Sequence, residues 1–164
     1  AEAEAARQHF DGLTCAAVMS RDVVTVTSET RLGRVADLFR EHRFKTLPVV
    51  EPDGKLCGVI TQNDLIQRAR GDAALRHDRF ASALIGMLVM VRGGLVARGV
   101  MPTALRPVAP GDGIGVLVHL LADGGVQAAP VVTAGRLDGI VTRSDLLAVL
   151  ARRTVLAGLT PTRD

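Results

Sequence analysis

No tryptophan and no tyrosine occur among the 164 residues, and phenylalanine occurs only four times. Surfaces that hold nucleic acid combine clustered cations with aromatic rings on which bases stack, and this chain has little to stack on. Charge of one sign is not gathered either. Twenty Lys and Arg stand against 17 Asp and Glu; up to residue 82 there are 12 basic and 12 acidic residues, and after it 8 and 5. Nucleic acid is therefore not an expected partner. Cysteine is scarce: Cys15 and Cys57 lie 42 residues apart with no CxxC spacing, which reads as two reduced, part-buried thiols of a cytosolic protein. His9, His42, His77 and His119 are scattered without metal-ligand spacing, so no zinc or other metal site is expected. No signal peptide is visible. The most apolar run, Ala83 to Val91, is broken by Gly86 and stopped by Arg92, about half of what spans a bilayer.

Catalytic signatures are missing as well. No Ser or Cys nucleophile has a His placed by a known motif, and no P-loop or GxGxxG follows a strand. Asp64 and Asp145 fall in different halves of the chain and do not read as an acid/base pair. The expectation is a protein that is not an enzyme. With 48% hydrophobic and 23% charged residues the chain is globular rather than disordered. Its length suits one domain or two small ones, at roughly 150 residues per domain.

What the sequence does contain is a repeat. At an offset of 82, Val18-Met19 falls on Val100-Met101 and Pro48-Val49-Val50 on Pro130-Val131-Val132. After a one-residue deletion the offset becomes 81, and Gly58-Val59-Ile60-Thr61 falls on Gly139-Ile140-Val141-Thr142, with Asp64-Leu65 on Asp145-Leu146. Each copy reads alike. Val23 to Val26 is β-branched and predicts a strand. Leu32, Val35, Ala36, Leu38 and Phe39 recur at helical spacing, matched by Ile114, Leu117, Val118, Leu120 and Leu121. Leu47 to Val50 predicts a second strand, Asp53-Gly54 a hairpin turn, Leu56 to Ile60 the returning strand, and a helix follows from near Thr61.

The fold class expected is α+β, two β-α-β-β-α units packed by a pseudo-two-fold, since neither copy alone has much of a core. The divisions are a helical lead-in over 1–12, a first unit over 13–70, a connector over 71–99, a second unit over 100–153 and a tail over 154–164. The opening M-x-x-x-h-h-T-V stands complete at Met19 and survives at Met101 only as M-x-x-x-L-R-P-V, while the h-P-V-V strand and the closing G-h-h-T-x-x-D, where h is apolar, each occur twice, all in the same order. In these the chain resembles the CBS domain, which commonly occurs as tandem pairs (Bateman modules). Its lead-in and first copy are also similar to the cytoplasmic tails of HPP-family membrane proteins.

Thr61 with Asp64, and Thr142 with Asp145, have the spacing of a capping box, and capping alone justifies those residue types. The same geometry suits a nucleotide. A helix N-terminus attracts phosphate, a Thr hydroxyl can donate to it, and a carboxylate one turn on can accept from ribose hydroxyls, as in dinucleotide folds. Gly58 would let the strand come close to a ligand. The resemblance implies that the matching Thr and Asp hold phosphate and ribose of adenosyl ligands, in the cleft between the two domains. It implies an adenine slot formed by Thr25, Val26, Thr46, Leu47 and Pro48 in copy one, and by Pro107, Val108, Ala128, Ala129 and Pro130 in copy two. AMP, ADP, ATP or S-adenosylmethionine are the implied ligands, with no cofactor required.

The copies differ. Lys45, a candidate phosphate cation, corresponds to Gln127, whereas Arg143 replaces Gln62 at the helix start; solvated surface is the plainer reading of Lys45, Arg43 and Arg143. Edge-strand punctuation is the plainer reading of Pro48 and Pro130. Pro107 and Gly111, Gly113, Gly115, Gly124 and Gly125 loosen copy two, so copy one is expected to bind better. The function expected is a regulatory module sensing adenosine-containing nucleotides and signalling to an attached or partner protein. The alternative is a structural or dimerisation module with empty slots. Phe80 to Val91 is too apolar for a free linker and predicts a homodimer, or else a helix packed internally. A cytoplasmic protein is expected, with the cytosolic part of an integral membrane protein as the alternative that the start at Ala1 and the HPP resemblance suggest.

Overall fold

The structure is a computed structural model that describes residues 12–73, 94–101, 105–123 and 126–156. The elements run α1 (Cys15–Val18), α2 (Leu32–His42), β1 (Thr46–Val50), β2 (Leu56–Thr61) and α3 (Gln62–Ala73). A 3-10 turn (Ala97–Gly99) follows, then α4 (Ile114–Asp123), β3 (Ala128–Thr133), β4 (Arg136–Thr142) and α5 (Arg143–Leu156). The repeat is plain: α2, β1, β2 and α3 recur as α4, β3, β4 and α5, and the class is α+β. Residues 1–11 of the lead-in, the segment Phe80 to Val91, and Gly124 and Gly125 lie outside the described residues.

The first strand is shorter than the β-branched run suggested. Val23, Val24 and Thr25 form no strand; Val26 alone makes a parallel bridge to Val49. Its N–H donates to Pro48 O at 3.0 Å and its carbonyl accepts from Val50 N at 2.7 Å. Copy two repeats this at Val108, with Pro130 O at 2.9 Å and Val132 N at 2.8 Å. Pro48 and Pro130 lie on strands of two-stranded sheets, β1 with β2 and β3 with β4, and so on edge strands as expected. Each proline lies inside its strand because this ladder takes the proline's carbonyl and the amide two residues on, so the missing N–H is never called upon.

The described chain forms two compact units that cross the repeat. One holds Val24–Leu105 and Gly135–Leu137; the other holds the residues up to Val23, Arg106–Ala134 and those from Asp138 onward. In the first, Leu32, Val35, Leu38 and Phe39 of α2 pack with Leu47, Val49, Ile60 and Leu65. In the second, Ile114, Leu117 and Leu121 of α4 pack with Ala129, Val131, Val141, Leu146 and the buried Cys15. Non-local pairing ties in the ends: Ser20 bridges Ile140, and Thr14 bridges Gly113.

Two glycines of the returning strands face methionines. A Cβ on Gly58 would lie 2.4 Å from Met101 Sδ, and one on Gly139 would lie 2.8 Å from Met19 Sδ and 2.7 Å from Ser20 O. Met19 and Met101 open the two copies, so each opener seats on the returning strand of the other copy. The space over Gly58 thus belongs to a methionine and not to a ligand, which corrects the expectation for that glycine. The two-residue β3–β4 turn, Ala134-Gly135, takes positive φ at both positions, 50° and 80°, as such tight hairpins require. Its tip joins the first unit: Leu56 N donates to Gly135 O at 2.9 Å, and Arg136 Nη1 donates to Asp53 O at 2.6 Å.

Candidate functional site

Each copy brings its Thr and Asp together at a helix start. Thr61 ends β2 and caps α3. Thr61 N and Oγ1 donate to Asp64 Oδ2 at 2.7 and 2.8 Å, and Asp64 N donates to Thr61 Oγ1 at 3.2 Å. In copy two, Thr142 N and Oγ1 donate to Asp145 Oδ2 at 2.7 and 2.8 Å, and Asp145 N donates back at 3.3 Å. The capping box is therefore real, and it employs one carboxylate oxygen. Oδ1 of Asp64 and of Asp145 has no hydrogen-bond partner among the described residues, which leaves an acceptor at each helix start.

The box changes what can be offered to phosphate. The hydroxyl proton of Thr61 goes to Asp64, so the hydroxyl faces a ligand only as an acceptor unless it rotates. Of the N–H groups at the start of α3, that of Gln62 donates to Lys45 O at 3.2 Å and that of Asp64 to Thr61. Asn63 N–H remains without a partner outside the helix. Of these three amides, one is left to a ligand at this helix start among the described residues. Copy two shows no bond matching Gln62 N to Lys45 O among its described residues, so Arg143 and Ser144 both present amides, beside the exposed Arg143 side chain.

The loop before β1 is fastened to the same helix. Arg43 has φ 55° and ends α2 in the left-handed conformation, His42 stacks on Phe44 at 5.1 Å, and Gln62 Nε2 donates to Phe44 O at 2.8 Å. This keeps the backbone of Lys45 at the start of α3 while its side chain stays exposed, with no ion pair among the described residues. The Gln62 staple was not foreseen, and only a polar side chain at the first helical position hinted at it.

Of the residues expected to line an apolar slot, most in each copy are buried. Leu47 and Pro48 are buried, Val26 is 5% exposed, and Thr46 is half-buried directly opposite Thr61 in the β1–β2 register. Thr25 is exposed and the structure joins it to none of the others by a side-chain bond. In copy two Val108, Ala128, Ala129 and Pro130 are buried, and Pro107 is exposed. Val26 and Val108 offer no free backbone group, since both of theirs are used in the ladder.

Cys57 is exposed, and its thiol donates to Val49 O at 3.3 Å and to Glu51 Oε1 at 3.4 Å. Desolvation, followed by the Glu51 carboxylate, pushes it up to about 11, so it is protonated near neutrality and a weak nucleophile. Burial, then Asp112, raises Cys15. Among the described residues no three His, Cys, Asp or Glu gather as metal ligands, and no helix is long and apolar enough to cross a membrane.

Known proteins share this fold. The chain is 30% identical over 134 residues to the uncharacterized protein MJ1225 of Methanocaldococcus jannaschii, a match of 81% of this chain to 45% of that protein; the chain thus spans less than half of that relative's length. The CBS domain of a CBS domain containing membrane protein from Sphaerobacter thermophilus is 29% identical, with a TM-score of 0.66 over 91% of this chain and 98% of that one. CBSX2 of Arabidopsis thaliana, solved in complex with AMP, has a TM-score of 0.69 at 22% identity, over 87% of this chain and 99% of that one. The CBS domain family profile matches twice, over residues 15–71 and 97–152. With both copies matched and the repeat visible in the fold, the chain belongs to the CBS-domain family as a tandem pair.

Proposed function

We propose that this CBS pair is a non-catalytic regulatory module that senses adenosine-containing nucleotides of the AMP, ADP and ATP class, S-adenosylmethionine being a further candidate. The observation that carries the reading is the pair of Thr–Asp boxes with one carboxylate oxygen left open beside a buried apolar wall. A carboxylate oxygen at a helix start accepts from ribose hydroxyls, and the aliphatic wall of Leu47 and Pro48, or of Ala129 and Pro130, accommodates a base without aromatic stacking. The AMP complex of CBSX2 supports the same ligand class. The signal to an attached or partner protein arises when ligand binds one arrangement of the chain better than another.

A thermal-shift panel of AMP, ADP, ATP, S-adenosylmethionine and NAD tests the reading. Ligand at a hundred times its Kd stabilises by about 2.7 kcal/mol, several degrees for a chain of this size. A flat panel at millimolar ligand favours a structural, ligand-free module instead.

The module is also proposed to be a homodimer. Ile66 on α3 and Leu147 on α5 are equivalent in the repeat, and they are 52% and 64% exposed, so an outward apolar position is kept in both copies. Light scattering at micromolar concentration is expected to give a dimer mass, and the pair Ile66→Glu and Leu147→Glu a monomer. A monomeric parent chain rejects the assembly. Attachment to a membrane domain is supported by the Sphaerobacter thermophilus relative, a domain of a membrane protein. Apolar stretches of about 20 residues in the flanking coding sequence are its expected mark.

A further inference from the structure

Met19 and Met101 stand against Gly139 and Gly58 by their sulfur atoms, and a thioether can be oxidised to a sulfoxide and reduced back. Met101 Sδ is the nearest atom to where Gly58 would carry a Cβ, with Met101 Cγ at 3.3 Å. At Gly139 the same position lies 2.8 Å from Met19 Sδ, 2.9 Å from Met19 Cγ and 2.7 Å from Ser20 O. Each seat is filled to contact: the sulfur fits because the strand carries no Cβ there. Neither methionine is sealed off, since both are half-buried. Met101 packs on the rim of the core that holds Leu47 and Ile60, and Met19 on the rim of the core that holds Leu117 and Val141. Methionine and glycine both recur in the repeat, so the chain carries the same device twice.

Each sulfur also sits where the fold would feel a change. Ser20, next to Met19, exchanges both backbone bonds with Ile140, next to Gly139, at 2.9 and 3.0 Å. Met101 follows Val100, whose N–H closes the 3-10 turn on Ala97 O at 3.1 Å, and Ala97 is fully buried. We propose that Met19 and Met101 are a matched pair of modification sites through which a hydroperoxide loosens the chain. The thioether sulfur attacks a peroxide oxygen, and the S–O bond forms as the O–O bond breaks. The proton of the transferred hydroxyl passes to the departing oxygen, which leaves as water or an alcohol. Sulfur gives up an electron pair, and that pair reduces the peroxide. The sulfoxide is polar and larger by one oxygen, in a seat without room for a methyl. Its dipole draws the side chain toward water, the opener leaves its strand, and the backbone bonds beside it weaken. This device works with or without a bound nucleotide.

Met87→Leu with Met90→Leu gives a chain whose only thioethers are Met19 and Met101. Adding Met19→Leu and Met101→Leu gives a thioether-free chain that keeps both cysteines. The folded chains are treated with millimolar hydrogen peroxide, and peptide masses and melting temperature are followed. Met19 and Met101 are each expected to gain an oxygen while the melting temperature falls by several degrees. A methionine sulfoxide reductase is expected to restore it, and the thioether-free chain to stay unmoved. Methionines that remain reduced in the folded chain yet oxidise in urea overturn the proposal, since the seats then shield the sulfur. So does full oxidation at an unchanged melting temperature, or an equal fall in the thioether-free chain, which assigns the effect to Cys15 or Cys57. If the leucine variants do not fold, a time course on the parent chain decides: loss of stability is expected to keep step with oxidation of Met19 and Met101. A loss that follows Met87, Met90 or a cysteine instead overturns the proposal.

Discussion

Alanine at Asp64 is expected to weaken AMP binding by about 1.5–3 kcal/mol, roughly ten- to a hundredfold, through loss of charge-assisted bonds to ribose. The same substitution removes half of a capping box, in which Oδ2 serves Thr61 N and Oγ1, at about 1 kcal/mol of stability. The two effects separate in measurement: urea denaturation of the unliganded variant reports the cap, and titration of the folded variant reports the ligand. Asp145→Ala is expected to lose the same cap energy but less affinity. Copy two is loosened by Pro107 and its glycines, although Arg143 gives it a phosphate donor that Gln62 does not match. If Asp145→Ala abolishes binding and Asp64→Ala spares it, copy two is the site. If both variants melt early and bind AMP normally, these residues are caps and nothing more.

Alanine at Gly139 is expected to be among the most destabilising small changes in the chain, at about 2–3 kcal/mol. The new Cβ would meet Met19 Sδ at 2.8 Å and Ser20 O at 2.7 Å. A methionine side chain can bend away. Ser20 O cannot, since it accepts from Ile140 N at 3.0 Å while Ser20 N donates to Ile140 O at 2.9 Å. Adding Met19→Ala to Gly139→Ala should therefore restore little, because the backbone conflict persists. Urea midpoints of the two single variants and the double variant decide the matter; full recovery in the double variant would mean that the sulfur alone fills the space. At Gly58 the contact at 2.4 Å is with Met101 Sδ, and Gly58→Ala with Met101→Ala is the matching pair.

What could be read ahead of the structure was local. The box from Thr61 to Asp64 spans four residues, and its hydrogen bonds follow from backbone geometry once a helix begins there. The core face of α2 was legible for the same reason, since Leu32, Val35, Leu38 and Phe39 repeat with the helix period. What escaped was non-local. A run such as Val23 to Val26 favours extended backbone, but whether it becomes a strand depends on partners elsewhere, and here only Val26 finds one. The openers and the glycines were both visible as repeated motifs. That Met19 belongs with Gly139 and Met101 with Gly58 could not be read from either motif alone, because each pair joins different copies.

The crossing of the repeat governs the order in which the chain can fold as it is made. Cys15 N donates to Asp112 O at 2.8 Å, and Ser20 pairs with Ile140, so these residues find their partners only once a much later stretch of the chain has been made. At 5–20 residues per second that wait lasts several seconds or more. Closing so long a loop adds only slowly to the entropic penalty, as (3/2)RT ln n, yet such distant pairings make folding slow. Meanwhile Cys15 and the apolar segment around Val18 and Met19 have nothing of their own to bury against. A nascent chain stopped short of Ile140 therefore carries this segment exposed, open to a holding chaperone.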